Sequence, residues 1–337
     1  MALPSDIERV LRLYPEDCQP ISFEPFVAHD GFSGAKIWRL TSPRGSLCLR
    51  KWPNEHPSAP RLEFIQAVLW HVDQEGFHLV PVPLETHHRH GYVRHAGHLW
   101  ELAPWLPGTA DFRQNPSPVR LQNALRALAL FHQAARSFPL PDPGPSKSPG
   151  IVERLERLQG LVSAGALQIG QAIRDEPWPE VASRARRLLA LFPLAAAEIA
   201  RELTLAARIE VQLQPCIRDI WYAHVLFQED EVSGVIDFGS LRPENIAADM
   251  ARLLGSLAGD ESSDWQQGLR AYQTVRQLSE DELQLVSTFD RSTVLMGGIQ
   301  WLEWIYVEHR EFANRAAVLA RLDEFIARLA HLTERLK

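Results

Sequence analysis

Residues 217–239, IRDIWYAHVLFQEDEVSGVIDFG, decide how the rest of the chain is read. Asp219 sits in Ile217-Arg218-Asp219-Ile220, five residues before His224, which leads into the apolar run Val225-Leu226-Phe227. A second apolar strand, Gly234-Val235-Ile236, ends at Asp237-Phe238-Gly239, with Asp237 eighteen residues after Asp219. The pattern predicts two short strands with one carboxylate on the entry loop and another at the exit. A lone Asp-Phe-Gly is a weak signal. Behind a strand, and at this distance from an Arg-Asp loop, it is a specific one.

The form H-R-D-L-x-x-x-N, a short hairpin and then D-F-G is that of a kinase catalytic loop and its metal-binding segment. The chain resembles, more closely, the aminoglycoside phosphotransferase and choline kinase group of small-molecule kinases, which share the protein-kinase-like fold. Their signature reads H-G-D-x-x-x-x-N-(apolar)-L-F, then I-D-F-G, then Asp-Leu-Ala. Here Asp219 through Phe227, Val235 through Gly239, and Asn245 with Asp249-Met250-Ala251 fall in those places. The resemblance spans most of residues 20–310, with its specific matches concentrated in 217–251. It implies ATP and Mg2+ as cofactors and phosphoryl transfer to a hydroxyl of a small molecule. Such transfer needs metal ions bridging the phosphates and a carboxylate that orients the acceptor hydroxyl. Asp219 is the candidate base, Asp237 the candidate metal ligand and His224 stands at the second metal position. Asp249 either buttresses the catalytic loop or caps the following helix.

Two residues depart from the signature. Ile217 replaces the histidine that braces the loop, and His224 replaces the metal-binding asparagine. Imidazole suits zinc or manganese better than magnesium, which prefers oxygen. His224 therefore has three readings: a metal ligand, a phosphate donor or a loop brace. The same departures support an alternative reading, a pseudokinase that binds nucleotide or a protein partner without catalysis.

The N-terminal half adds weaker pieces. In His29-Asp30-Gly31-Phe32-Ser33-Gly34-Ala35, the residues Gly31, Ser33 and Gly34 are candidates to cover ATP phosphates with backbone N–H groups. Leu47-Cys48-Leu49-Arg50 matches the V-A-I-K register with Arg50 in the lysine position, where a guanidinium can grip phosphate oxygens. Strand alternation turns Lys51 to the opposite face. Glu63, early in a helix opened by Pro60, is the candidate ion-pair partner of Arg50. Ala103, in Leu99–Trp105, is the candidate hinge contact to adenine. His132, in Leu128 through His132, falls where an Ala-x-x-x-His pattern is common in these kinases, and reads equally as a core-edge histidine. The histidines of 86–98 read as an exposed turn rather than a metal tract. Trp301, Trp304 and Ile305 share a helical face, which core packing explains; with Glu303 they could also recognise an amine on the acceptor. Trp221 is a further candidate for stacking on acceptor or nucleotide.

These pieces predict an α+β, two-lobed protein-kinase-like fold with a β-rich N-lobe over 1–106 and a mainly helical C-lobe over 107–337. The N-lobe closes with strand-like runs near 84–92 and 97–103, and after 104–108 the chain turns helical, with a helix from Ser117 to about Arg136. Further helices follow at 150–175, 178–206, after Ser279, and over 290–311 and 313–336. Among 337 residues, Lys+Arg 35 against Asp+Glu 42 gives a net charge of -7, against the basic surface that non-specific nucleic-acid binding needs. No apolar run reaches the ~18 residues of a membrane span, and the start MALPSDIERV lacks the pattern of a secretory signal. Three scattered cysteines make no disulfide framework. The expectation is a cytoplasmic protein whose partner is a small-molecule hydroxyl acceptor, amine-containing acceptors included, with neither nucleic acid nor membrane.

Overall fold

The computed structural model describes residues 4–26, 34–142, 144–174, 178–312 and 314–337. The chain divides into two compact units. The first comprises Met1–Pro139, Ile217–Arg242 and Gln267–Arg276; the second comprises Leu140–Cys216, Pro243–Gln266 and Gln277–Lys337.

In the first unit a short helix α1 (Ser5–Leu11) precedes strands β1 (Ser22–Phe26), β2 (Lys36–Ser42) and β3 (Gly45–Lys51). Helix α2 (Ala59–Gln74), strands β4 (Val93–His95) and β5 (His98–Pro104), and helix α3 (Pro118–Ala135) follow. The strands form one antiparallel sheet in the order β1-β2-β3-β5-β4. Period-two alternation splits β3 between two environments. Leu47 and Leu49 join Leu40, Trp100 and Leu102 in a core closed by Ile7, Val10, Leu11 and Tyr14 around α1. Lys51 lies over the Trp100 ring on that same face, 5.2 Å from its centroid. Cys48 and Arg50 point the other way, opposite Ala103 and Glu101 in the β3–β5 register.

The segment 84–92 forms no strand. Thr86 and His90 close a turn through the Thr86 N–H to His90 C=O and Arg89 N–H to Thr86 C=O bonds, 2.8 and 2.9 Å. The polar run His87-His88-Arg89-His90 carries no alternation to bury, so pairing begins only at Val93. The N-cap of α1 is Pro4, and Ser5 is the first helical residue.

The strands that lie between the two signature carboxylates, Val225–Gln228 and Glu231–Val235, pair as a hairpin with a register shift between Val232 and Gly234. Their ladder is extended by the Ile236 N–H to His224 C=O bond, 2.9 Å, so Asp237 follows directly on the last paired residue. Arg120 on α3 fixes the tip of this hairpin. Its Nε and Nη2 both donate to the Glu229 carbonyl (2.8 and 2.5 Å), while Nη1 donates to Asp111 at 2.9 Å and to the Asn115 carbonyl at 3.2 Å. Phe238 packs 5.8 Å from Phe131 of the same helix.

The second unit is built on helices Pro149–Gly160, Pro179–Ala206, Ala247–Leu257, Glu280–Tyr306 and Arg315–Arg335. The first continues through a π-turn at Leu161–Gly165 into Ala166–Ala172. The helix capped by Ser279 and the segment 290–311 are one helix, Glu280–Tyr306, because no proline stands between them. Ser279 and Glu282 form a reciprocal capping box at its start. A two-residue strand, Ser146–Lys147, pairs with Glu210–Val211. All three cysteines are thiols, and no helix among the described residues is long and apolar enough to cross a membrane.

Replacing Arg120 with methionine keeps the stem packing but strands the Glu229 carbonyl and Asp111. Chemical denaturation should show a loss of about 2–4 kcal/mol, as for a buried, multiply bonded guanidinium. Arg126→Met, on the exposed face of the same helix, should stay within about 0.5 kcal/mol.

Candidate active site

Arg50, Glu101 and Asp237 meet on one side of the sheet. Arg50 Nε lies 4.0 Å from Glu101 Oε1 and Arg50 Nη1 lies 3.7 Å from Asp237 Oδ1, with the guanidinium carbon 4.7 Å above the Trp52 ring. The Arg50 and Glu101 side chains are 16% and 13% exposed, whereas that of Asp237 is 38% exposed and reachable from solvent. Desolvation works against the Arg50 charge, but the Asp237 and Glu101 carboxylates outweigh it and raise its pKa above the ordinary arginine value. Burial pushes the Glu101 carboxyl upward, with Arg50 and the Gln66 amide pulling it back.

The loop around Asp219 is organised by His224. Nδ1 of His224 is 2.7 Å from the Asp219 carbonyl, to which it donates, and Nε2 accepts from the Trp221 indole N–H at 2.8 Å. Those partners fix the neutral Nδ1–H tautomer. His224 Nε2 is also 3.6 Å from Asp237 Oδ2, so one imidazole spans from the backbone of one signature aspartate to the carboxylate of the other. Arg218 and Asp237 have φ of +68° and +64°. Ala96 and Glu229, also at positive φ, serve hairpin turns. Arg218 and Asp237 do not, and residues held in this region outside turns cluster at functional sites.

Asp237 suits a hard divalent cation. Its carboxylate is accessible, and its contacts with Arg50 and His224, at 3.7 and 3.6 Å, are longer than hydrogen bonds. His224 does not suit the second ligand position as placed, because its single ring lone pair is taken by the Trp221 N–H. It is a loop brace, which is also the service that Ile217, buried and apolar, cannot supply.

Other sequence expectations fall out differently. Gly31 and Ser33 lie outside the described residues; Gly34 is described, at φ +71°. Glu63 sits away from Arg50, its carboxylate accepting the Tyr92 hydroxyl at 2.7 Å on the exposed side of α2. Helical periodicity explains the miss: Gln66, one turn further on, is the residue of α2 that reaches Glu101, donating to Oε2 at 3.0 Å. Ala103 is buried in β5 opposite Cys48. It falls in the same hydrogen-bonded series as the Trp52–Leu99 and Trp105–Ser46 bonds on either side, so its backbone is directed into the ladder rather than toward a base.

His132 is fully buried, with Nδ1 2.8 Å from the Tyr272 hydroxyl. In the histidine-rich stretch, His95 Nε2 is 2.9 Å from Asp6 and His98 Nδ1 is 2.8 Å from the Trp52 carbonyl; His87, His88 and His90 are exposed. Within the second unit, Asp249 is the third residue of its helix and fully buried; the N-cap there is Ile246. Trp301 and Trp304 are in edge contact at 5.1 Å. Glu303 pairs with Arg157, and Arg310 lies 4.9 Å above the Trp304 ring. The chain's own guanidinium groups thus occupy both features expected to greet an amine.

Comparison with known proteins bears on fold and family. Three solved structures resemble the chain over nearly their whole length. A microcompartment-associated aminopropanol kinase gives a TM-score of 0.66 at 15% identity, covering 98% of this chain and 96% of that one. Spectinomycin phosphotransferase, in complex with ADP and spectinomycin, gives 0.66 at 13%, covering 93% of each chain. Amicoumacin kinase, in complex with AMP-PNP, Ca2+ and its antibiotic, gives 0.65 at 14%, covering 95% of this chain and 91% of that one. At these identities the likeness establishes the protein-kinase-like fold. No curated protein sequence matches the chain. The model of the phosphotransferase enzyme family, APH, matches residues 27–285, from the end of β1 into the Glu280–Tyr306 helix, and the chain belongs to that family.

Proposed function

We propose that this protein transfers the γ-phosphoryl group of ATP to a hydroxyl on a small molecule, using a divalent metal for which Mg2+ is the expected ion. The observation that carries the reading is the meeting of Arg50 with Asp237, 3.7 Å apart, at the end of a hairpin whose other end is tied to Asp219 through His224. A bound divalent metal would neutralise phosphate charge during transfer. Asp237 holds it from an accessible carboxylate, and Arg50 presents a permanently charged guanidinium to the phosphates beside it. Asp219 accepts the proton of the acceptor hydroxyl, or orients that hydroxyl for attack. Gly34, at positive φ, is offered as a backbone contact to the phosphates.

The acceptor is a small molecule. The solved structures that resemble the chain include kinases of aminopropanol and of amine-bearing antibiotics. Because Arg157 and Arg310 already satisfy Glu303 and Trp304, an ammonium group on the acceptor is read elsewhere than at that aromatic pair.

A second reading has a specific observation behind it. Ile217 stands in place of the loop histidine, and the His224 lone pair is engaged, so a protein that binds nucleotide without transferring phosphate is the competing account.

Acceptor-dependent ADP release, measured across amino alcohols, aminoglycosides, macrolides and simple sugars, separates the two. Turnover with any acceptor supports the phosphotransferase; ATP binding with no turnover across the panel supports the pseudokinase. For the active protein, Asp219→Ala should lower kcat by about 10²–10⁴-fold, the usual contribution of a positioned base. Its ATP dissociation constant should remain within about twofold, and an unchanged kcat would contradict the role given to Asp219. Chelating the divalent metal should abolish turnover, and restoring Mg2+ should recover it.

A further inference from the structure

Arg50 needs its orientation fixed, and the helix glutamate expected to do so is engaged with Tyr92. We infer that Glu101, held in place by Gln66 and Gly91, is the positioning residue for Arg50; this rests on the phosphotransferase reading of Arg50.

Sheet register brings the pair together. Arg50 and Glu101 are directly opposite across β3 and β5, where facing side chains start about 5 Å apart. The two carboxylates then address different ends of one guanidinium: Glu101 faces Nε and Asp237 faces Nη1. A guanidinium is a rigid planar fork, so a carboxylate facing each end, at 4.0 and 3.7 Å, biases the plane of the whole group by charge, without a direct hydrogen bond. Held so, the donors not facing Glu101 are directed toward the Asp237 side, where the phosphates are expected.

Glu101 is itself held. Its Oε2 accepts from Gln66 Nε2 at 3.0 Å, and the same amide donates to the Gly91 carbonyl at 2.9 Å. Gln66 is almost fully buried, and its two Nε2 hydrogens are both used. Residue 91 must be glycine for this arrangement, since a Cβ there would lie 2.2 Å from Gln66 Oε1. Two positions distant in sequence, Gln66 and Gly91, are therefore committed to the placement of one carboxylate. If Glu101 served stability alone, an apolar cross-strand pair would serve as well, because buried ion pairs gain little over packed hydrocarbon. The helix contributes a neutral amide, and the charge comes from the neighbouring strand.

The test combines calorimetric titration of Mg·AMP-PNP with steady-state kinetics on purified full-length protein. Glu101→Gln should weaken nucleotide binding and raise KM for ATP by about tenfold, a loss of one charged contact, with a smaller change in kcat. Glu101→Asp should recover part of that loss. Glu63→Gln should stay within about twofold of wild type. Gly91→Ala, which displaces Gln66 without altering any charge, should raise KM for ATP several-fold and serves where Glu101→Gln fails to fold. A Glu101→Gln protein with a lowered melting temperature but unchanged KM would make the residue structural and overturn the inference, as would a Glu63→Gln variant that loses affinity instead. A wild-type protein that binds no nucleotide contradicts the phosphotransferase reading itself, and that result is visible before any variant is made.

Discussion

A guanidinium cannot shed its proton inside a protein, so burying one obliges the fold to deliver acids to it. Arg50 is that constraint here. It is largely buried, stacked over Trp52, and met by Glu101 from the adjacent strand and by Asp237 from the hairpin exit. The first acid depends on the β3–β5 register and the second on the 225–235 hairpin. The sheet and the hairpin are therefore coupled through a single side chain. Arg120 and Phe131 on α3 hold the hairpin where that coupling requires it.

The loop that carries Asp219 is stabilised differently from the family pattern. Where the family pattern has a histidine ahead of the aspartate, this chain has a buried isoleucine, and a histidine five residues after the aspartate ties the loop together. Positive φ at Arg218 and Asp237 costs on the order of 1–3 kcal/mol each. The His224 bonds to the Asp219 carbonyl and the Trp221 indole, and the His224–Ile236 backbone bond, offset that strain. At the position where the family pattern has a metal-binding asparagine, the His224 ring is thus engaged within the loop, and the Asp237 carboxylate stays accessible.

Much of this was legible in the sequence, for identifiable reasons. The spacing of Asp219, His224 and Asp237 is local, and a hairpin converts local spacing directly into proximity. Arg50 over Lys51 followed from strand alternation, and Lys51 does lie on the opposite face over Trp100. Glu101 was not legible. It is distant from Arg50 in sequence, and only the pairing of β3 with β5 makes them neighbours. Glu63 misled because helix position 63 and position 66 differ by one turn, and sequence alone does not set the rotation of α2. Ala103 misled because hinge-like composition does not reveal where a strand stops pairing. The helices of the second unit were legible as apolar periodicity, but the continuity of Glu280–Tyr306 was not, since the sequence marks where helices start better than where they run on.

The central claim is that Arg50 and Asp237 together form a metal-dependent nucleotide site. Calorimetric titration of ATP into the wild-type protein, with and without Mg2+, and into Asp237→Ala addresses it most directly. Micromolar binding that requires Mg2+ in the wild type and is lost in the variant is the expected result. Binding that is absent under both conditions, or that survives unchanged without Asp237, would contradict it.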